Sequence, residues 1–484
     1  MAEFPNFVGG AYRSRSRHAN AEALINFYVE RMEVEGAKRR SALYPTPGLT
    51  EFCTLPKSPI RALFDADVGR TFAVAGLGAS SGFYEIHGDG TFTDRGTVNN
   101  TGLPATIDSN GRLGSQLFIV SGDIGYCFDL NTNTLTQVVT DALAGAFISG
   151  FFLYLHGPTN AVRQSALNNG TSWNASHLFS RNRAGDPWIT MKVINDLIWL
   201  LGPKTGEVWY NAGTAPVAMQ PVPNGFFHVG SGSRHCIADV ADAPVWLGRT
   251  KDGHAMIYRA NGLQPQRIST HAVEFALQSY SSIADAVVYS YQEEGHTFFV
   301  LNLEAAGKTW VWDETTNLWH ERGYWDTAMA QYQAGRPQYS CFSFGKHLVG
   351  DRASGTIYEM RVGLTTDADG TLIRRLRRTP HIWAEGGRGV FHKEIRFDMQ
   401  TGDAPLVGQG SDPLTMLRWS DDHGETWSQE RVLDVGKRGR YGYEVYTERL
   451  GLSPTGARTY ELSMTDPLPW QIVGASIEAE AAVH

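Results

Sequence analysis

An all-β fold organised as a β-propeller is what this sequence predicts, and three observations carry that reading. Aromatic residues make up 11% of the 484-residue chain and glycines number 52, a mixture that suits short twisted strands and tight turns better than long helices. Short apolar stretches alternate with Gly/Asp/Asn turns through most of the chain. A loose turn–Gly–x–aromatic marker returns at Tyr84, Tyr126, Trp173, Trp209, Tyr258, Trp312 and Tyr358, in steps of 42, 47, 36, 49, 54 and 46 residues. A period of about 40–50 residues with three or four strands in each is the signature of propeller blades. One four-stranded blade cannot bury both faces alone, whereas a ring of blades buries them all and leaves only short edges. Six or seven blades fit.

Taken in order, residues 1–55 read as a polar arm followed by a hairpin: INFYVERMEV, the turn EGAK, then RRSALYPTPGL, ended by Pro45, Pro47 and Gly48 as an extended link. Residues 56–364 carry the repeated marker and form the propeller. One segment departs from the strand texture. Val273, Ala276, Leu277 and Ile283 sit near helical spacing, which predicts an inserted helix over 271–287. Residues 365–379 turn polar and then basic, as a linker would. Residues 380–484 return to strands, and alternation in LRWS and ARTYELSM predicts an antiparallel sheet with one face buried, a β-sandwich or platform-like domain. The closing AEAAVH reads as disordered.

Composition narrows the function classes. The chain is 42% hydrophobic and 19% charged, as globular proteins are. Its net charge of −8 argues against a protein that clings to duplex DNA, since such binding rests on neutralising phosphates. Cys53, Cys127, Cys236 and Cys341 are far apart and form no CxxC pair, the usage of small buried side chains in a reducing compartment. The opening MAEFPNFVGG lacks the basic and apolar regions of a signal peptide. The most apolar stretch, Phe147 to Leu155, is about nine residues and too short to span a bilayer.

The sharpest motif is Ser420-Asp-Asp422-His-Gly424-Glu-Thr426-Trp427, an Asp-box pattern. Its physics is a self-braced hairpin turn: Ser420 and Asp422 bind backbone amides, Gly424 permits a positive φ and Trp427 rests on the sheet, with Thr426 completing the pattern. It is a turn device, not a catalytic one. Gly76-Leu-Gly78-Ala-Ser-Ser-Gly82 has the look of a phosphate loop, but a strand follows it where a helix N-terminus would be needed, so it reads as a hairpin. His320-Glu321 lacks the second histidine of a zinc motif. The carboxylate pairs Asp65/Asp67 and Asp239/Asp242 could line a site, yet in propellers such residues more often end strands. No catalytic residue, metal ligand or cofactor is expected. Two basic clusters stand out: Arg374-Arg375-Leu-Arg377-Arg378, and Lys437-Arg438-Gly-Arg440.

With these motifs in view, the chain resembles the packaged-DNA stabilisation proteins of short-tailed bacteriophages, also described as tail hub or nozzle proteins. The resemblance begins at Asn26-Phe-Tyr-Val-Glu and Leu43-Tyr-Pro-Thr-Pro-Gly-Leu49. It continues through Asn169-Gly-Thr-Ser-Trp173-Asn-Ala, Leu197-Ile-Trp-Leu-Leu-Gly202, Glu207-Val-Trp-Tyr-Asn-Ala-Gly213, Val245-Trp-Leu-Gly248 and Arg267-Ile-Ser-Thr-His271. It ends with the turn from Ser420 to Trp427, Arg449-Leu-Gly451 and Thr465-Asp-Pro-Leu-Pro-Trp470. Each match is short, and their order along the whole chain makes them specific.

The resemblance implies a virion tail protein made in the host cytoplasm, a homohexameric ring below the portal and its adaptor, and a channel that DNA crosses without sequence-specific binding. It also implies docking surfaces for tailspikes or fibres and for a plug or needle. On this reading Arg374, Arg375, Arg377 and Arg378 are candidate contacts to a neighbouring subunit or to the adaptor, and the channel wall is acidic or neutral. The alternative is a propeller glycan hydrolase or lectin of sialidase-like type, suggested by the Asp box and the aromatic richness.

Overall fold

The computed structural model describes the chain except residues 34–40, 182, 384–388, 455–456 and 483–484. The turn EGAK therefore lies outside the described residues. Strands account for 57% of the described residues and helix for 3%.

Seven blades form the propeller, each an antiparallel meander whose innermost strands are Ile60–Asp65, Thr106–Ser109, Ala142–Ile148, Thr190–Ile194, Ile237–Val240, Val287–Glu293 and Pro337–Ser343. Five blades open with the same two-residue hairpin: Ser149-Gly150, Asn195-Asp196, Ala241-Asp242, Glu294-Gly295 and Phe344-Gly345, with φ positive at both positions. Two consecutive positive φ values give a turn whose twist matches the flanking strands. The blades are thus joined by a shared backbone device that varied side chains conceal. The aromatic markers fall on the third strand of their blade, except Trp173, which lies on the fourth.

The ring is closed by the N-terminal segment. Gly48–Thr54 is the outer strand of the last blade, antiparallel to Thr356–Arg361. The hairpin Phe27–Arg31/Ser41–Pro45 belongs to the other end of the molecule, where it joins Ile472–Ala481, Val390–Met399 and Val445–Ser453 in one sheet of a C-terminal sandwich. The second sheet holds Arg375–Arg378, Ala457–Met464, Leu414–Ser420 and Arg431–Asp434. It is continuous with the sixth blade through the short strand Ala23–Ile25, which pairs in parallel with Leu318–Asp326 and antiparallel with Arg375–Arg378. A single apolar core follows the same path: Val245, Leu247, Phe299, Leu301 and Trp312 of the blades join Phe27, Phe397, Leu462 and Trp470 of the sandwich.

Three expectations are corrected. Residues 365–379 are not a solvated linker: Thr366 bridges Leu372, and Arg375–Arg378 is an interior strand of the sheet. Hydrogen bonding on both edges is what draws this charged run inside. The helix covers only His271–Ser279, because Thr270 caps its start while Tyr280 turns extended (ψ 144°) and accepts a hydrogen bond from Trp310 Nε1 at 3.1 Å. The tail through Ala481 is strand, paired with Val390–Met399. The Gly76–Gly82 segment is a hairpin between Thr71–Ala75 and Ser80–Ile86, as expected. Cys53, Cys127 and Cys236 are buried and all four thiols are free.

Asn26 holds the junction. Its φ is +59°, and its side chain donates to the carbonyls of Gly323 (2.9 Å) and Arg374 (2.8 Å) while accepting from the amide of Gly323 (2.9 Å). Its own backbone bonds Glu321 and Thr46. Asn26→Ala would strand three buried backbone groups, each worth about 1–3 kcal/mol before water reaches them, and would put at φ +59° a residue that lacks asparagine's tolerance of the left-handed region. A loss of about 2–5 kcal/mol is expected in urea unfolding. A loss below 1 kcal/mol would show that the junction does not depend on this side chain.

Candidate functional site

The propeller axis is the first place to look for chemistry. A cavity of about 460 Å³ lies there, lined by residues from the inner strands of all seven blades. Spread along inner strands of four to seven residues, about 13–23 Å, that volume leaves a bore roughly 5–10 Å wide, narrower than the DNA major groove alone, about 12 Å. The bore therefore has the size of a small-molecule pocket and cannot pass a duplex. Its titratable lining includes Asp108, Lys192, Arg234, His235 and Asp239. Burial raises the Asp108 carboxyl, opposed by Lys192 and by the amides of Phe147 and Ser109. Burial and then Asp242 raise Asp239. Of the two carboxylate pairs noted in the sequence, Asp239/Asp242 thus belongs to this end of the bore, and Asp67 is felt by Asp108. Asp108 and Lys192, which complete the cluster, carry no sequence signal: only ring closure brings their blades together. Among the described residues no group of three His, Cys, Asp or Glu side chains is placed to hold a metal ion.

The arginine strand divides by alternation, since successive side chains of a strand point to opposite faces. Arg377 is 0% exposed and points inward, where it pairs with Glu22 at 2.6 Å and donates to the carbonyls of Phe7 (2.7 Å) and Asn6 (2.9 Å). It anchors the N-terminal arm. Arg375, 1% exposed, points inward too, and its three guanidinium nitrogens have no hydrogen-bond partner among the described residues. Burial lowers its pKa to about 10, against the influence of Tyr332. The expectation that all four arginines form an outward contact therefore fails for Arg375 and Arg377, because both side chains are enclosed. Arg374 and Arg378 face the other way. Arg374 lies 4.1 Å over the Trp325 ring. Arg378 and Arg418 both bind the buried Glu461, at 2.6 and 2.5 Å, and both lie over Trp427, at 4.8 and 4.7 Å. Sequence reading missed Glu461 and Arg418 because each is an isolated residue until three strands align them. In the second basic cluster, Lys437 pairs with Asp412 at 3.1 Å and Arg440 lies over Tyr443.

The Asp box folds as a braced turn. Asp422 accepts from the amides of Thr426 (2.8 Å) and Glu425 (3.1 Å) and from the hydroxyls of Thr426 (2.5 Å) and Ser420 (2.7 Å), and the Gly424 amide donates to Ser420 Oγ at 2.8 Å. These bonds, led by Thr426, hold its carboxyl at about 2. Gly424 has φ +88°. The turn is also where the arm docks. Arg17 pairs with Glu425 at 2.7 Å, His18 lies tilted against His423 with ring centroids 3.8 Å apart, and the Arg17 carbonyl accepts from His381 Nε2 at 2.8 Å.

Comparison with known proteins agrees with this architecture. The family model described as bacteriophage P22 Gp10, beta-propeller, matches residues 5–364, and that described as bacteriophage P22 Gp10, beta-sandwich, matches residues 374–480. The chain belongs to the bacteriophage P22 Gp10 family. Gp10 proteins are structural proteins of the phage tail that stabilise packaged DNA, and this chain is a virion tail protein of that kind. No curated protein matches it. Among solved structures, the crystal structure of the N-terminal domain of Nup159 overlaps 70% of this chain and 99% of its own, at 11% identity and a TM-score of 0.40. A structure of S. cerevisiae Dbp5 bound to Nup159 overlaps 68% and 97%, at 12% identity and a TM-score of 0.36.

The interior histidines of this Gp10-family chain contribute to its acid response. Burial, aided by Arg234, holds His235 at about 3, and burial, aided by Arg458, holds His392 at about 4. In the unfolded chain both titrate near 6.5. As pH falls the unfolded state takes up protons first, so their contribution is complete above about 6.5 and is lost as pH falls toward 4 and then 3. His296 has the opposite sign: burial pulls it down, but Asp313 at 2.8 Å outweighs this and raises it, so its contribution fades as pH rises through its folded value. Melting temperature is expected to fall between pH 7 and pH 5, and His392→Gln to flatten that slope. An unchanged slope in the variant would remove His392 from this account.

Proposed function

We propose that the chain is the nozzle or hub subunit of a short phage tail, with six copies ringed around the path of the DNA below the portal and adaptor. The observation that carries this reading is the rigid union of propeller and sandwich. The sixth blade and a sandwich sheet are one hydrogen-bonded sheet with one core, so the subunit resists load as a single strut. The bore excludes a duplex, so the conduit lies between copies, not through a propeller. Tailspikes or fibres and a plug or needle dock on the outside and the far end of this ring.

The wall of such a conduit is best acidic or neutral. Several phosphate contacts multiply into an affinity that would trap the genome, whereas six copies at −8 each sum to about −48 and let it slide. The protein carries no enzymatic role on this reading. The Asp box, the main support for a glycan hydrolase, is fully occupied in bracing its own turn.

A reconstruction of the assembled particle is expected to show a six-fold ring whose axis lies outside every propeller. DNA threading a propeller bore, an isolated monomer or a two-fold dimer would each reject the proposal. The purified protein is expected to leave sialosides and other glycosides uncleaved. Turnover at enzyme rates that Asp239→Asn abolishes would establish the hydrolase in its place.

A further inference from the structure

The sandwich has two outer faces, and they carry opposite charge. On the sheet that includes Val390–Met399, Glu394 stands directly between Glu448 on one neighbouring strand and Glu478 on the other. Like charges placed opposite one another across strands destabilise a sheet, so this row carries a local penalty that the cations beside it only partly offset. Arg396 pairs with Glu394 at 3.0 Å and with Glu444 at 2.9 Å, and Lys393 pairs with Glu480 and lies 3.7 Å from Glu478. Glu448 has no ion pair among the described residues. Five glutamates (394, 444, 448, 478 and 480) against Lys393, Arg396 and the neighbouring Arg449 leave a net −2. Beside the row, Phe391 and Leu452 are cross-strand partners, 48% and 42% exposed, at the edge of a shallow hollow of about 650 Å³.

The outer face of the other sheet is the reverse. Arg374, Arg378 and Arg418 are arrayed there over Trp325 and Trp427, and Arg13 is close enough to Arg378 for their charges to oppose. Glu461 is the acid at their centre, and these four arginines against it leave a net +3. The nearby Glu321 and Glu425 are matched by Lys308 and Arg17. Val432, on the same face, is 60% exposed.

We propose that successive copies of this chain meet through these two faces, the arginine–tryptophan face of one sandwich seated on the glutamate row of the next. Opposite faces of one sandwich point in opposite directions, so the patches cannot meet within a copy. A contact between two different patches is heterologous, and repeating it closes a ring when the rotation allows. Each face supplies charge for register and exposed apolar side chains for burial, the composition of a specific interface. The inference rests on the ring proposed above and names its contact.

The test uses the full chain added to particles assembled without it. Arg378 and Arg418 are left alone, because removing them would strand the buried Glu461. Glu448→Lys with Glu478→Lys, and separately Arg13→Glu with Arg374→Glu, are each expected to reduce particles bearing a complete ring at least tenfold. The four-site exchange in one chain is expected to restore them, which no folding defect could mimic. Wild-type rings are expected to loosen as salt rises from 0.05 to 0.5 M, about the range over which screening tightens below 10 Å. If wild type forms rings and either two-site variant, folded by thermal melt, assembles as well, the face assignment fails while the ring stands. It fails likewise if the four-site exchange does not recover. Should a two-site variant not fold, Glu448→Gln with Glu478→Gln and Arg374→Gln decide by the same readout. Normal rings that leak DNA would place the basic face on the DNA path and overturn the proposal. If wild type forms no ring, the ring reading itself is wrong.

Discussion

A strand of three residues, Ala23–Ile25, is hydrogen-bonded on both edges, to the sixth blade on one side and to Arg375–Arg378 on the other. The propeller and the sandwich are therefore not two domains on a tether. Asn26, next in the chain, turns the backbone through a left-handed conformation and fills the corner with its own amide. From there the chain runs out into the sandwich hairpin and returns as Gly48–Thr54 to close the last blade. Blade closure, sandwich assembly and the angle between the two all depend on this one passage of the N-terminal segment.

The same constraint explains why arginines lie at the centre of the sheet. The strand Arg375–Arg378 must pair on both edges, and alternation then sends two of its side chains inward whatever their type. Arg377 is accommodated because the arm brings Glu22 and a set of backbone carbonyls to it. Burying a charge costs least with such pairing. The buried arginine and the arm thus define one another's place, and the arm continues to the Asp box, where Arg17 and His18 dock. Arg375 has no comparable set of partners, and its lowered pKa records that.

For a tail subunit the mechanical meaning is direct. Load applied at the sandwich passes into blade six through backbone hydrogen bonds of one sheet and through one continuous core. Interiors packed in this way have low compressibility and transmit strain. In the ring proposed above, the narrow, polar bore belongs to the strut and not to the conduit, so the subunit can be rigid without constricting the DNA.

Period and turn chemistry were legible in the sequence: the recurrence of Tyr84 through Tyr358 announced blades, and Ser420 to Trp427 announced a braced turn, because both are local in the chain. The family was legible too, through short motifs in fixed order. The destination of residues 365–379 was not. A polar, basic run has the composition of a solvated link, and only long-range pairing with residues 23–25 and 457–464 makes it an interior strand. The placement of the arginine patch was half legible for the same reason: composition marks Arg374 to Arg378 as one patch, while strand alternation splits it. Glu461, Arg418, Asp108 and Lys192 had no signal at all, being single residues from distant segments. Local physics, which depends on neighbours in the chain, is written in the sequence by itself. Which charges end up facing one another is decided by pairing across hundreds of residues, and that exists only in the folded structure.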